Sequence, residues 1–266
     1  MLQSLKQMFA RRTDAPHAEL PAGQRVYAVG DIHGRLDLFR ALVDAIETDD
    51  AESAPAETLI VLLGDLVDRG PDSKGVIGLA REWQGRRRVR ILFGNHEEMF
   101  LRSLSDIEMF RHFLRHGGRE TVLSYGVDRE RFARATLEEA QDLMREAVPA
   151  EDITFVNGFE GMVRAGDYLF VHAGIDPRVP LDEQRDKDLR WIREPFLSYP
   201  EPHGVVVVHG HTICDSVEDC GNRIGIDTGA FMTGRLTALV IEGVSRRYIE
   251  AVEGADGAIT AAAPVV

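Results

Sequence analysis

The chain has 266 residues, 44% hydrophobic and 28% charged, with a formal net charge of −13 and two cysteines. That content suits a soluble, enzyme-sized globular protein; the acidic balance argues against a protein that wraps a nucleic-acid duplex, and two cysteines are too few for a disulfide scaffold. No run approaches the ~18 apolar residues of a membrane span, so neither membrane nor nucleic acid is expected as a partner, and the expected compartment is the cytoplasm.

Residues 1–22 are a polar, Pro-containing lead-in. Its first stretch, MLQSLKQMFARR, is amphipathic but lacks the apolar core and cleavage site of a signal peptide, and reads as a loose helical tail. A single catalytic domain is expected over 23–250, followed by an Ala-, Gly- and Pro-rich tail, 251–266, expected to fray. Short apolar runs mark candidate strands: VYAV (26–29), TLIVLL (58–63), VRILF (89–93), YLFVH (168–172), VVVVH (205–209) and LTALVIE (236–242). Near-continuous runs of this kind predict strands buried on both faces. Residues 36–46 carry apolar side chains at helical spacing, and 73–83 do so more weakly. The alternation predicts an α/β core with a largely parallel sheet. Residues 97–160 mix Leu, Phe and Met with many charges and read as a helical insertion; 222–250 return to strand-like alternation and read as hairpins of a second sheet. The basic run at 86–90 reads as a solvated edge. Cys214 and Cys220 form no CxxC pair and read as structural or incidental, and His17, His112, His116 and His203 as surface residues.

The strand ends carry the chemical signal. VYAV leads into Gly30-Asp31-Ile32-His33-Gly34, LIVLL into Gly64-Asp65-Leu66-Val67-Asp68-Arg69-Gly70, RILF into Gly94-Asn95-His96-Glu97, YLFV into His172-Ala173-Gly174, and VVVV into His209-Gly210-His211-Thr212. Alone, a Gly-Asp after a strand is commonly a turn, and a lone His commonly a satisfied core residue. Together they form a set of polar strand ends, and ligands of open α/β sheets bind outside the carboxyl ends of strands. Asp, Asn and His without thiolate suit Mn, Fe, Zn or Ni and argue against a structural zinc knot. Two carboxylates, three histidines and an amide exceed the needs of one tetrahedral ion; two ions sharing a bridging carboxylate would use them all. Two metals ~3.5–4 Å apart can hold a hydroxide and clamp a phosphoryl oxygen for in-line attack on phosphorus.

In order, GDIHG, GDLVDRG, GNHE, VHAG and HGHT resemble the signature of the phosphoprotein phosphatase family of metallophosphoesterases, and within it the bacterial and phage lambda-type Ser/Thr protein phosphatases, over about residues 25–241. The resemblance implies a metallophosphoesterase-type β-sandwich with flanking helices and a helical insertion. It implies two divalent ions, Mn first, with Fe, Zn, Ni or Mg as other occupants. Asp31 and His33 would hold one ion, Asn95, His172 and His211 the other, and Asp65 would bridge. His96 would be the general acid and Asp68 its orienting partner. Arg69 would clamp phosphate with Asn95, and Arg193 of Trp191-Ile192-Arg193 would be a second clamp, with Arg190 competing for that assignment. His209 matches a neighbour of the ligand. Asp227-Thr228-Gly229-Ala230 and the later Gly234-Arg-Leu-Thr resemble closing strands near the site. Residues 113–126 (FLRHGGRETVLSYG) resemble a segment of the insertion with no assigned role.

The implied activity is a metal-dependent phosphomonoesterase acting on a phosphorylated protein or peptide, on phospho-Ser/Thr first, with phospho-Tyr as a second class if specificity is dual. A symmetric dinucleoside-tetraphosphate hydrolase is the alternative; its motifs resemble GDLVARG and GNHD, whereas this chain has Asp68 and Glu97. A non-catalytic binding module should have lost ligands or the acid, and none is missing.

Overall fold

The computed structural model describes residues 18–262; the N-terminal amphipathic stretch and His17 lie outside them. The chain runs β1 (Gln24–Val29), α1 (Leu36–Glu52), β2 (Glu57–Leu62), α2 (Ser73–Arg86) and β3 (Val89–Ile91). Six helices come next: α3 (Asn95–Ser103), α4 (Ile107–Phe113), α5 (Arg119–Ser124), α6 (Arg129–Arg134), α7 (Leu137–Ala147) and α8 (Ala150–Asn157), with a π-turn at Leu114–Gly118 between α4 and α5. Then come β4 (Met162–Ala165), β5 (Tyr168–Val171), α9 (Asp186–Trp191), β6 (Val206–His209), β7 (Glu218–Asp219), β8 (Arg223–Gly225), α10 (Ala230–Thr233), β9 (Arg235–Glu242), β10 (Ser245–Glu253) and β11 (Ile259–Ala262).

Two sheets stack. One has the order β11-β10-β9-β1-β2-β3, the other β4-β5-β6-β8-β7. Alternation along each strand divides the core. Val26, Ala28, Val61, Leu239 and Ile241 of the first sheet meet Val163, Phe170, Val208 and Ile224 of the second. Tyr27, Val29, Ile60 and Leu62 point the other way, onto Leu38, Phe39 and Leu42 of α1, Ile77 and Trp83 of α2 and the aromatic side chains of the insertion. The outer face of the second sheet packs on Leu189 and Phe196. This is the expected α/β sandwich with flanking helices. No helix among the described residues is long and apolar enough to cross a membrane.

Three expectations about the strands are corrected. The sheets are mixed: β1-β2-β3 and β5-β6-β8 are parallel, whereas β9, β10, β11, β4 and β7 pair antiparallel. The β9–β10 hairpin belongs to the first sheet, because β9 lies along β1 (Val26 opposite Ile241) and so completes both cores with one alternating strand. Residues 251–262 do not fray: Ala251 to Glu253 finish β10, and β11 closes the edge, pairing Glu250 with Ala262 and Glu253 with Ile259. Main-chain hydrogen bonds make that ladder, so small side chains do not prevent it.

The basic run is neutralised locally, Arg87 by Glu47 and Asp50 and Arg90 by Glu160. His203 is half-buried against Phe196 and Tyr199 rather than on the surface.

Candidate active site

The polar strand ends converge at one end of the sandwich. Asp31 and His33 follow β1, Asp65 to Arg69 follow β2, and Asn95 and His96 open α3 after β3. His172 follows β5, and His211 follows β6. Asp31, His33, Asp65, Asp68, Asn95, His96, His172 and His211 are all less than one-tenth exposed. Among the described residues, five non-glycine residues have positive φ: His33 (47°), Asp65 (50°), Asp68 (73°), Arg69 (68°) and His211 (62°). All five belong to this cluster, as expected where backbone strain is retained to aim functional side chains. Gly210 shows how tight the turns are: a Cβ there would lie 2.0 Å from Asp31 Oδ1.

Backbone carbonyls set the imidazoles. His33 Nδ1 donates to Val67 O at 2.8 Å and His172 Nδ1 to Leu63 O at 2.8 Å, so each turns an Nε2 lone pair inward. Asp65 faces both: Oδ2 is 3.6 Å from His33 Nε2 and Oδ1 is 3.4 Å from His172 Nε2. These gaps are too long for hydrogen bonds but suit two ligands of one ion, since bonds of about 2.0–2.2 Å place neighbouring ligand atoms about 3–3.5 Å apart. Asn95 Oδ1 stands 3.0 Å from His172 Nε2 and 2.8 Å from His211 Nδ1. With the amide so oriented, the lone pairs of Asn95 and His172 face each other with no proton between them, which a cation would relieve. Two clusters that could hold a metal therefore share Asp65, one with His172 and His211, the other with His33 and His96.

His96 is the weaker member of the second cluster. Its Nδ1 donates to Asp68 Oδ2 at 2.6 Å, and its Nε2 accepts from Arg69 Nη2 at 3.0 Å, so a cation at that nitrogen would meet a guanidinium. Asp31 completes the cluster better. Its Oδ2 accepts from the His211 N–H at 3.0 Å, while its Oδ1 is buried without a partner. Such an orphan oxygen is costly unless a cation faces it.

The electrostatics agree. Burial pushes Asp31 well above the usual carboxylate range, with Asp227 and Asp65 pushing the same way, so divalent charge is what would keep it ionised. Burial holds His33 and His172 below the usual imidazole range and lowers His211 to about 3, leaving their lone pairs free at neutral pH. His96 differs: burial lowers it, but Asp65 and the Asp68 hydrogen bond outweigh burial and hold it above the ordinary value.

Arg193 is exposed, and its positive charge is felt at His172 and His211. Arg190 is paired with Glu98 and Asp186 and lies over the Phe93 ring 4.4 Å away. His209 is buried behind His211, its Nδ1 3.0 Å from Gly210 O.

Four features had no sequence signal or only a weak one. Glu97, read only as a motif letter, is a clamp: Oε2 accepts from the N–H groups of Asp65 (2.8 Å) and Gly94 (3.0 Å), and Oε1 from Leu66 (2.7 Å) and Val67 (3.4 Å). Phe231 underlies the Arg69 guanidinium at 4.6 Å. Thr121 and Ser73 reach Asp68 from two helices. Asp227 is buried and pushed up to about 6, chiefly by burial.

Residues 24–228 match the family model of the calcineurin-like phosphoesterases. This chain belongs to that family. The phosphoesterase is 29% identical over 227 residues to Serine/threonine-protein phosphatase 1 of Salmonella typhimurium, covering 82% of this chain and 93% of that one. It is also 26% identical over 245 residues to the asymmetrical bis(5'-nucleosyl)-tetraphosphatase PrpE of Geobacillus thermodenitrificans, covering 79% and 88%. Among solved structures, a cold-active protein-tyrosine phosphatase of Shewanella superposes with a TM-score of 0.56 at 16% identity, covering 91% of this chain and 83% of that one, and shares the fold.

Proposed function

We propose that this phosphoesterase cleaves phosphoserine and phosphothreonine esters of protein substrates in the cytoplasm, with manganese as its metal. The observation that carries the reading is the sealed His96–Asp68 pair at 2.6 Å, with Arg69 on the other side of the imidazole. A serine or threonine alkoxide is a poor leaving group and needs a proton as the P–O bond breaks. A nucleoside polyphosphate leaves as a stable anion and needs it far less. Similarity to a Ser/Thr phosphatase along most of both chains supports the same reading.

Asp31, His33 and Asp65 would hold one divalent ion, and Asp65, Asn95, His172 and His211 the other. When bound, such ions polarise the phosphoryl group and supply a water-derived nucleophile at neutral pH. The chain's own groups do the rest. Arg69 and Arg193 take phosphoryl oxygens, with the fork geometry that lysine lacks, and the Asn95 amide adds a contact. Once a phosphoryl group draws Arg69 away, His96 Nε2 is free to carry the proton that it passes to the departing oxygen. Asp68 retains the Nδ1–H throughout and supports the imidazolium.

The likeness to PrpE favours a second reading, dinucleoside-tetraphosphate hydrolysis. The test compares kcat/KM on a phosphoserine peptide and on diadenosine tetraphosphate across Mn, Fe, Zn, Ni and Mg. The phosphopeptide should be preferred with Mn. A preference for the tetraphosphate would overturn the proposal, and its products (two ADP, or ATP with AMP) would report symmetric or asymmetric cleavage.

A further inference from the structure

The helical insertion does more than pad the core. Its segment from Gly117 to Thr121 grips two consecutive residues of the site. The Gly117 carbonyl accepts the Arg69 N–H at 3.0 Å, and Gly117 has φ +102°, with a Cβ there landing 2.7 Å from Arg69 N. Only glycine fits so close an approach. Four residues on, Thr121 Oγ1 donates to Asp68 Oδ1 at 2.6 Å and accepts the Asp68 N–H at 2.9 Å. Ser73 Oγ, at the start of α2, lies 2.9 Å from Thr121 Oγ1 and 3.0 Å from Asp68 N. Asp68, Ser73 and Thr121 are fully buried.

Donor counting fixes the direction of this chain. Ionised Asp68 only accepts, so Thr121 gives its hydroxyl proton to Oδ1. Thr121 then takes the Ser73 proton, and Asp68 Oδ2 remains for His96 Nδ1–H. Asp68 sits at φ 73°, a conformation that leaves the residue dependent on its surroundings for orientation.

We propose that Thr121 is a positioning residue for the acid: its hydroxyl, delivered by the insertion, holds Asp68 so that His96 keeps Nε2 aimed at the leaving oxygen. The inference rests on the reading of His96 as general acid.

The test uses the full chain saturated with Mn, with a phosphoserine peptide and p-nitrophenyl phosphate as substrates. Thr121→Val should lose roughly 10- to 100-fold in kcat on the peptide and less than about 3-fold on p-nitrophenyl phosphate, whose leaving group hardly needs a proton. Bound metal should equal that of the parent. Thr121→Ser keeps the hydroxyl and should stay within about 3-fold of the parent on both substrates. Equal losses by Thr121→Val on both substrates, a fall in its metal content, or failure of Thr121→Ser to restore the peptide rate would each overturn the proposal. If Thr121→Val does not fold, Ser73→Ala removes the hydroxyl behind Thr121 and must show the same split; no split there overturns it equally. His96→Asn separates the two readings. A leaving-group split in His96→Asn without one in Thr121→Val removes Thr121 and spares the acid, whereas equal losses in His96→Asn remove both.

Discussion

Asp68 Oδ2 sits 2.6 Å from His96 Nδ1, and neither residue is more than 1% exposed. A charged pair placed so deep is expensive to desolvate and weak evidence for stability. Its arrangement fits proton delivery. His96→Asn should therefore lower kcat on a phosphoserine peptide by about 10²–10⁴-fold while changing p-nitrophenyl phosphate cleavage far less. Steady-state rates on the two substrates check this, and equal losses would refute the acid role.

Asp65 addresses His33 with one oxygen and His172 with the other. Replacing one oxygen by an amide nitrogen should break that sharing. Asp65→Asn is expected to bind markedly less metal, by elemental analysis of dialysed protein, and to lose activity on every phosphoester. A metal-replete, active variant would remove Asp65 from the site.

Glu97 accepts from the N–H groups of Asp65, Leu66 and Gly94 from within the core. Glu97→Gln keeps the shape but turns an NH2 toward donors in either orientation. The cost should be about 1–3 kcal/mol, from buried N–H groups left unpaired. Urea unfolding checks it; an unchanged midpoint would mean that the loop does not depend on this carboxylate.

Arg69 holds a left-handed backbone at φ 68°. Arg69→Gly and Arg69→Ala both remove the guanidinium, but only alanine keeps the conformational penalty. The glycine variant should be the more stable by about 1 kcal/mol, the reverse of their order in a helix. Thermal melting of the two proteins, both impaired as enzymes, gives the comparison.

Tyr27 is buried and donates to Asp49 Oδ2 at 2.5 Å. Burial first, then the Asp49 hydrogen bond, raises its ionisation above the ordinary tyrosine range. The folded chain thus holds the proton more tightly than the unfolded one. That stabilisation is complete below the unfolded value near 10 and is lost as pH rises from there through the folded value, at about 1.4 kcal/mol per pH unit for one group. Urea midpoints should fall above about pH 10, and less steeply in Tyr27→Phe.

The sequence displays the site because the chemistry is written locally. A strand, a glycine and a ligand occupy neighbouring positions, as in Val29-Gly30-Asp31 or Val171-His172. The strands themselves show as β-branched runs. What hides is whatever depends on meeting a distant partner. Nothing near Thr121 announces that its hydroxyl meets Asp68, 53 positions away. Nothing in Ala-Phe-Met-Thr places Phe231 beneath Arg69. The C-terminal strand is obscured for a different reason: composition reports side chains, whereas Ile259–Ala262 is held by main-chain pairing to β10. Hairpin placement fails likewise, since alternation along β9 fits either sheet until β1 is seen beside it.

Asp31 extends from β1 of one sheet and His211 from β6 of the other, 180 positions apart along the chain, yet they touch. Of the two ions proposed, the one held by Asp65 and Asn95 from the first sheet and by His172 and His211 from the second would rivet the seam of the sandwich, closing a very long loop reversibly, and binding of this kind adds to folding free energy. Removal of metal should then do two things at once: silence turnover and soften the joint between the sheets.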